Sequence, residues 1–223
     1  MWAQSTVTQL CTAATAASGS TVTCTTSANV PAGSAIVVIV SREYGAVQSV
    51  SVSDGTGSYT QDQRWVASGS GFGVDVFSRR TSAQLNSGST ITATVSSYAN
   101  WGITAYYISS VASSYIDSAG GAGDASYGSS WVSPTTGSVS GAAICIGGFR
   151  IGASMVTTAG NGYTQLDSFD ATDGRFASQY KRVTSGTTYL SLSGGTATSG
   201  VAAVQCYLEG SVPAARRRVM VIQ

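Results

Sequence analysis

The sequence contains two related stretches, and this duplication limits the possible folds more than any other feature. The copies cover residues 33–111 and residues 141–212. The matching segments are Tyr59-Thr60-Gln61 with Tyr163-Thr164-Gln165, Phe77-Ser78-Arg79 with Tyr180-Lys181-Arg182, and Tyr107-Ile108 with Tyr207-Leu208. Residues 112–140 between the copies are rich in Gly and Ser, so we interpret them as a spacer.

The pattern of apolar residues predicts strands throughout the chain. Short runs of Val, Ile, Thr and Tyr alternate with clusters of Gly, Ser, Asn and Asp, and no helical period is visible. Each copy is short for a closed sandwich, whereas the full 223 residues can bury a large core. We therefore predict an all-β protein, with one jelly-roll-like antiparallel β-sandwich domain over residues 1–212 and an internal pseudo-duplication.

The composition excludes several classes of function. The chain has no histidine, which removes Ser-His-Asp catalysis and histidine-bearing zinc sites. The net charge is +1, and without the three arginines at 216–218 it is 1 − 3 = −2, so the body carries no nucleic-acid footprint. The longest apolar run, residues 35–40, is too short to span a bilayer. We expect no cofactor, no nucleic acid and no membrane.

The surface composition and the N-terminus point to a virion. Only 9% of residues are charged, as in proteins that work outside cells, yet the first residues lack the basic and apolar regions of a signal peptide. A virion protein resolves this contradiction, because it is made in the host cytoplasm and released by lysis. Export by a route without an N-terminal signal is the alternative.

The four cysteines fall into two groups. Cys11 and Cys24 flank a Ser-Gly turn symmetrically, so they can face each other across a hairpin and form a disulfide. Cys145 and Cys206 lie in apolar strands, where free buried cysteines behave as small hydrophobic residues.

The acidic residues offer little for chemistry. The spacing of Asp167, Asp170 and Asp173 allows a loop around calcium, but it is not the EF-hand spacing, and a solvated turn explains the same residues. We predict no metal site and keep these aspartates as a calcium alternative. Glu43 and Glu209 have no acidic neighbour in sequence, so no catalytic residue is assigned and no enzyme is predicted.

Aromatic residues provide a candidate contact surface. Trp101, Tyr127 and Trp131 are candidates for stacking on glycans or for contacts between subunits. Alternating burial in a sandwich explains such residues equally well.

The C-terminal segment 213–223 is predicted to be an arm that binds a partner. It contains Arg216, Arg217 and Arg218, followed by Val219, Met220, Val221 and Ile222. The arginines can pair with carboxylates, and the apolar run can add a strand to a neighbour's sheet edge. The alternative is a last strand of the same domain.

Three segments carry a family resemblance: residues 18–40, with a Pro-Ala-Gly strand start, residues 50–61, and residues 160–195. They resemble the Thr/Ser/Gly-rich jelly-roll-like sandwich domains of phage virion proteins, and are similar to secreted bacterial surface domains. The resemblance covers most of residues 18–210. It implies a capsid decoration protein or a head or tail appendage.

Two functional hypotheses follow. The first is a non-enzymatic phage virion protein that binds other virion proteins and its own copies, as a homo-oligomer with a trimer favoured. The second is a carbohydrate-binding module or adhesin that binds host surface glycans through aromatic residues.

Overall fold

The computed structural model describes residues 4–16, 20–43, 49–67, 71–95, 101–127, 131–152, 158–171, 174–193 and 199–210. These residues form antiparallel strands joined by turns, with no helix among them. The described residues therefore contain no helix that is long and apolar enough to cross a membrane. The predicted all-β fold is confirmed.

The first eight strands form one sandwich. They are β1 (Val7–Ala16), β2 (Thr21–Thr25), β3 (Ala35–Arg42), β4 (Val50–Ser53), β5 (Thr60–Val66), β6 (Gly73–Arg80), β7 (Thr90–Val95) and β8 (Trp101–Ile108). The larger sheet has the order β1-β8-β3-β6-β5, and the smaller sheet has the order β2-β7-β4. The two sheets enclose the first core, which includes Ile36, Val38 and Phe77.

The remaining strands form a second sandwich. They are β9 (Val111–Asp124), β10 (Ser126–Tyr127), β11 (Trp131–Val132), β12 (Ala143–Ile151), β13 (Thr158–Ala159), β14 (Thr164–Ala171), β15 (Gly174–Val183), β16 (Ser191–Ser193) and β17 (Gly200–Glu209). Its larger sheet has the order β14-β15-β12-β17-β9, and its smaller sheet has the order β10-β11-β16-β13. These sheets enclose a second core that includes Phe149 and Leu192.

The two larger sheets have the same strand order when β1 is matched to β9 and β8 to β17. In both, the edge strand β5 or β14 pairs with β6 or β15 in the larger sheet. In a regular jelly roll the fifth strand belongs to the other sheet, beside the fourth. A β-sandwich architecture is therefore confirmed, but as two sandwiches and not as the single one predicted over residues 1–212, and the specific jelly-roll arrangement is not confirmed.

The repeated units are longer than the sequence comparison indicated. Strands β1 and β2 precede the predicted start of the first copy at residue 33, and β9 to β11 occupy most of the predicted spacer 112–140. Each unit therefore has enough strands to close a sandwich of its own. The spacer interpretation is wrong, because the Gly- and Ser-rich residues 111–124 form the longest described strand, paired along β17.

The residue-by-residue matching of the copies is off by one in the later strands. Thr60 pairs with Ser78 in the first sandwich, and Thr164 pairs with Tyr180 in the second. Because Thr60 and Thr164 correspond, Ser78 corresponds to Tyr180 and not to Lys181. A slip of one residue moves every side chain of a strand to the opposite face, so the corrected register decides which residues share a core.

The last strands show the same shift. Ile108 and Tyr207 both lie in the core between the two sandwiches, whereas Tyr107 packs on the first core and Leu208 on the second. Ile108 therefore corresponds to Tyr207, although the sequences align better with Tyr107 in that place.

The two larger sheets pack against each other and enclose a third core. Strand β3 contributes Val37 and Ile39, and β12 contributes Ile144 and Ile146. The sheets approach closely at Gly148, where an added Cβ would lie 3.1 Å from Cγ2 of Ile39. The central strands of both larger sheets are therefore covered on both faces, which explains their nearly continuous apolar sequences.

Candidate functional site

An ion pair lies inside the first sandwich, where β3 ends and β6 begins. Nε of Arg42 is 2.8 Å from Oδ2 of Asp75, and the exposed fractions of the two side chains are 1% and 0%. Both residues face the first core, since Arg42 alternates with Val40 and Asp75 with Phe77. Trp101 lies opposite Arg42 in the neighbouring strand β8.

Two side chains of β5 complete the cluster. Nε2 of Gln61 donates to Oδ1 of Asp75 at 2.7 Å, and Nε of Arg64 is 3.5 Å from the same oxygen. A β-bulge at Asp62 places both residues on this side of the strand. We call Arg42, Gln61, Arg64 and Asp75 the arginine cluster.

Burial dominates the electrostatics of the arginine cluster. Loss of solvent raises the pKa of the Asp75 carboxyl, and the neighbouring Arg42 opposes this shift only in part. Burial also lowers the pKa of Arg64, and this effect exceeds the stabilisation of its charge by Asp75. The charges of the arginine cluster are therefore poorly solvated.

The Arg42 guanidinium packs flat against the chain at Gly73. A Cβ on Gly73 would lie 3.0 Å from Nε and 3.1 Å from Cζ of Arg42, so any larger residue there crowds the guanidinium. Within the described residues, Nη1 and Nη2 of Arg42 are buried and have no hydrogen-bond partner.

In the second sandwich the equivalents of Arg42 and Asp75 are apolar, while an arginine, Arg175, takes the place of Gly73. Ile151 lies opposite Arg175 and Gly200, as Arg42 lies opposite Gly73 and Trp101. In the same register, Ala177 takes the place of Asp75, and both Ile151 and Ala177 are fully buried. The fold itself therefore does not require a charged pair at this position.

A second ion pair joins the two sandwiches at the same end. Nη2 of Arg150, on β12, donates to Oε2 of Glu43 at 3.2 Å, and both side chains are almost fully buried. The Arg150 guanidinium also lies 5.5 Å from the ring centre of Phe72. Glu43, which has no acidic neighbour in sequence and no assigned role, thus links the sandwiches.

Polar side chains also link the sandwiches along β5 and β17. The Tyr207 hydroxyl donates to Oδ2 of Asp62 at 2.6 Å, and Nε2 of Gln63 donates to Oε1 of Gln205 at 2.9 Å. Burial raises the pKa of the Asp62 carboxyl, against the effect of its hydrogen bonds. The β-bulge at Asp62 turns two consecutive side chains toward the second sandwich, which is why both can take part.

A polar cleft of about 340 Å³ lies at the junction of the two units, where Gly210 ends the described chain. Its lining includes Arg80, Ser110 and Ser113. The cleft is separate from the arginine cluster, because Arg80 and Arg42 stand at opposite ends of the β3–β6 ladder.

The structure places the predicted aromatic residues in the interior. Trp101 and Trp131 each have an exposed fraction of 1%, so neither can stack on a sugar, and their interpretation as contact residues is wrong. The side chain of Tyr127 lies outside the described residues. Among the described tryptophans the exposed one is Trp65 on β5, with an exposed fraction of 38%, and its Nε1 donates to Asp124 at 2.8 Å.

Both cysteine pairs form disulfides. Cys11 and Cys24 are joined between β1 and β2, the pairing that the sequence suggested. Cys145 and Cys206 are also joined, between the adjacent strands β12 and β17, where we had expected free thiols. That expectation failed because the two cysteines lie directly opposite each other in the ladder, which only the correct strand pairing reveals.

The calcium alternative gains no support. Among the described residues, no group of three or more acidic, cysteine or histidine side chains is placed to hold a metal ion. Asp167 instead accepts hydrogen bonds from Nε2 of Gln9 and from the amide of Ser168. Asp173 and the side chain of Asp170 lie outside the described residues.

The predicted arm, with Arg216 to Arg218 and Val219 to Ile222, also lies outside the described residues, which end at Gly210.

Sequence reasoning missed the arginine cluster. A signal was present, because Arg42 ends an apolar run and Asp75 interrupts one.

No family model, curated protein or solved structure matches the chain.

Proposed function

We propose that the protein is a non-enzymatic structural component of a phage virion, a capsid decoration protein or a head or tail appendage subunit. In this proposal the double sandwich is a rigid block, and the C-terminal arm 213–223 docks it on neighbouring subunits. The protein acts through buried surface and strand pairing, as a homo-oligomer in contact with other virion proteins.

The observation that carries the proposal is the interface between the two sandwiches, which has both apolar and polar contacts. It combines an apolar core with the Arg150–Glu43 ion pair and the hydrogen bonds at Asp62 and Gln63. The ion pair and the hydrogen bonds favour one relative orientation, since sliding of one sandwich along the other leaves these groups without partners. A block with a fixed shape suits a repeating assembly better than two independently moving modules do.

Truncation tests the proposal. The full chain and a chain ending at Gly210 are compared by size-exclusion chromatography with light scattering, and for incorporation into particles. We expect the full chain to associate and the truncated chain to remain folded, monomeric and excluded from particles. A truncated chain that still assembles with particles contradicts the role of the arm.

A carbohydrate-binding module is the second candidate, and Trp65 favours it. Its indole is partly exposed, and the bond to Asp124 holds it in one orientation, as stacking on a sugar ring requires. Glycan arrays with the natural chain and with Trp65→Ala test this role. Binding lost on substitution supports it, and an array without a signal for the natural chain removes it.

A further inference from the structure

The Arg42 guanidinium is buried and only partly satisfied. Its Nε donates to Asp75, whereas Nη1 and Nη2 are buried with no acceptor among the described residues. Burial of a charged donor without an acceptor is unfavourable, and such groups in folded proteins call for a specific explanation. The unmatched donors are the two terminal nitrogens of the guanidinium.

Stability does not explain why the cluster is charged. The equivalent positions of the second sandwich hold Ile151 and Ala177, both fully buried in the same strand ladders. Buried ion pairs replaced by apolar residues of suitable size are often no less stable. The duplication thus provides an internal comparison in which apolar residues fill the positions of Arg42 and Asp75, with Arg175 in the place of Gly73.

The geometry of the donors indicates the chemistry of the ligand. The two Nη groups of a guanidinium form a fork that matches the two oxygens of a carboxylate or of a phosphate. Arg42 and Arg64 with Asp75 carry a net charge of 2 − 1 = +1, which favours an anion over a cation as the ligand. Access is narrow, because the exposed fraction of the Arg64 side chain is 26% and that of Arg42 is 1%.

We infer that the arginine cluster is a binding site for a small oxyanion, held end-on by Nη1 and Nη2 of Arg42 and approached past Arg64. The burial of Arg42 excludes an extended polymer chain as the occupant and favours a free carboxylate or phosphate. This site is independent of the proposed assembly role, since the residues of the arginine cluster are not among the polar contacts between the two sandwiches.

The test is a titration of the full chain with sodium acetate and with inorganic phosphate, each below about 20 mM against chloride at constant ionic strength, followed by thermal unfolding. Bound ligand stabilises the folded state by mass action, so at a hundredfold excess over Kd the unfolding equilibrium constant falls about 100-fold. We expect saturation, which distinguishes binding from the general salting effect of anions. The stronger of the two responses identifies the preferred oxyanion.

Three variants locate the site. The double variant Arg42→Ile/Asp75→Ala introduces the residues of the second sandwich and is expected to fold and to lose the response. Arg64→Gln, at a partly exposed position, is expected to raise the apparent Kd about tenfold. Arg80→Gln alters the separate polar cleft and is expected to change nothing.

The outcomes are decisive. A saturable response that is lost in the double variant and kept in Arg80→Gln supports the site. A response equal in all variants, a response lost in Arg80→Gln, or no response to either anion overturns it.

Discussion

Removing one partner of the Arg42–Asp75 pair is expected to lower the free energy of unfolding far more than replacing both partners with apolar residues. In Asp75→Ala, Arg42 remains with 1% exposure and no carboxylate, a situation that costs about 3–5 kcal/mol. In Arg42→Ile, Gln61 and Arg64 still contact Asp75, so the expected loss is about 2–3 kcal/mol, below the range for an isolated buried charge.

The double variant Arg42→Ile/Asp75→Ala removes both charges together. It loses some packing volume, so we expect a net cost of about 0–2 kcal/mol, which is well below the sum of the single costs. The coupling energy between the two sites is then at least about 3 kcal/mol.

The assay is urea unfolding followed by tryptophan fluorescence and circular dichroism, with the disulfides intact and the slope m compared between variants. Arg80→Gln, an exposed arginine of the same strand, is the control and should change stability by less than about 0.5 kcal/mol. Additive single effects would refute the reasoning, because they would mean that each charge is stabilised independently of its partner.

Three further predictions concern the interface and the central sheet. Tyr207→Phe removes the donor to the buried Asp62 carboxylate, and unfolding midpoints should show a loss of about 1.5–3 kcal/mol. Because burial raises the folded pKa of Asp62, the folded state binds more protons above the unfolded pKa, so stability falls as pH rises through the folded pKa. Asp62→Asn should flatten this dependence in urea midpoints taken across that range, and an unchanged slope contradicts it. Gly147→Ala places Cβ 2.1 Å from the Ala203 carbonyl oxygen and should lower the free energy of unfolding by about 3 kcal/mol or abolish soluble expression. Gly141→Ala is the control, because its Cβ lies 3.7 Å from the flexible Leu208 side chain, and its Tm should stay near that of the natural chain.

Strand content could be predicted from the sequence because period-two patterns and turn dipeptides are local signals. The register could not, because it depends on pairing between distant strands. Tyr107 and Tyr207 match in sequence, yet they face different cores. A sequence alignment matches identical residue types, whereas structural equivalence depends on equal positions in the strand ladder. Here the alignment and the structural register differ by one residue.

The candidate site was hidden for a related reason. A lone Asp75 in an apolar strand is visible in the sequence, but its partner Arg42 comes from another strand, and the bulge that brings in Arg64 leaves no clear trace in composition. The tryptophans misled in the opposite direction. Trp101 and Trp131 were candidates for contacts with glycans or subunits, with burial as the alternative, and the fold buries both.

The bulges explain how a duplicated chain makes an interface that fits only its own two halves. Each larger sheet has a bulge in its edge strand, β5 or β14, which turns Asp62 toward the other sandwich in the first unit and Leu166 in the second. Asp62 meets the hydroxyl of Tyr207, whereas the corresponding residue of the first sandwich is Ile108. A pairing between first sandwiches of two chains would therefore bury Asp62 against an apolar side chain and leave its carboxylate without that donor. The asymmetry favours association of the two halves within one chain, and it directs any contact between chains to other surfaces.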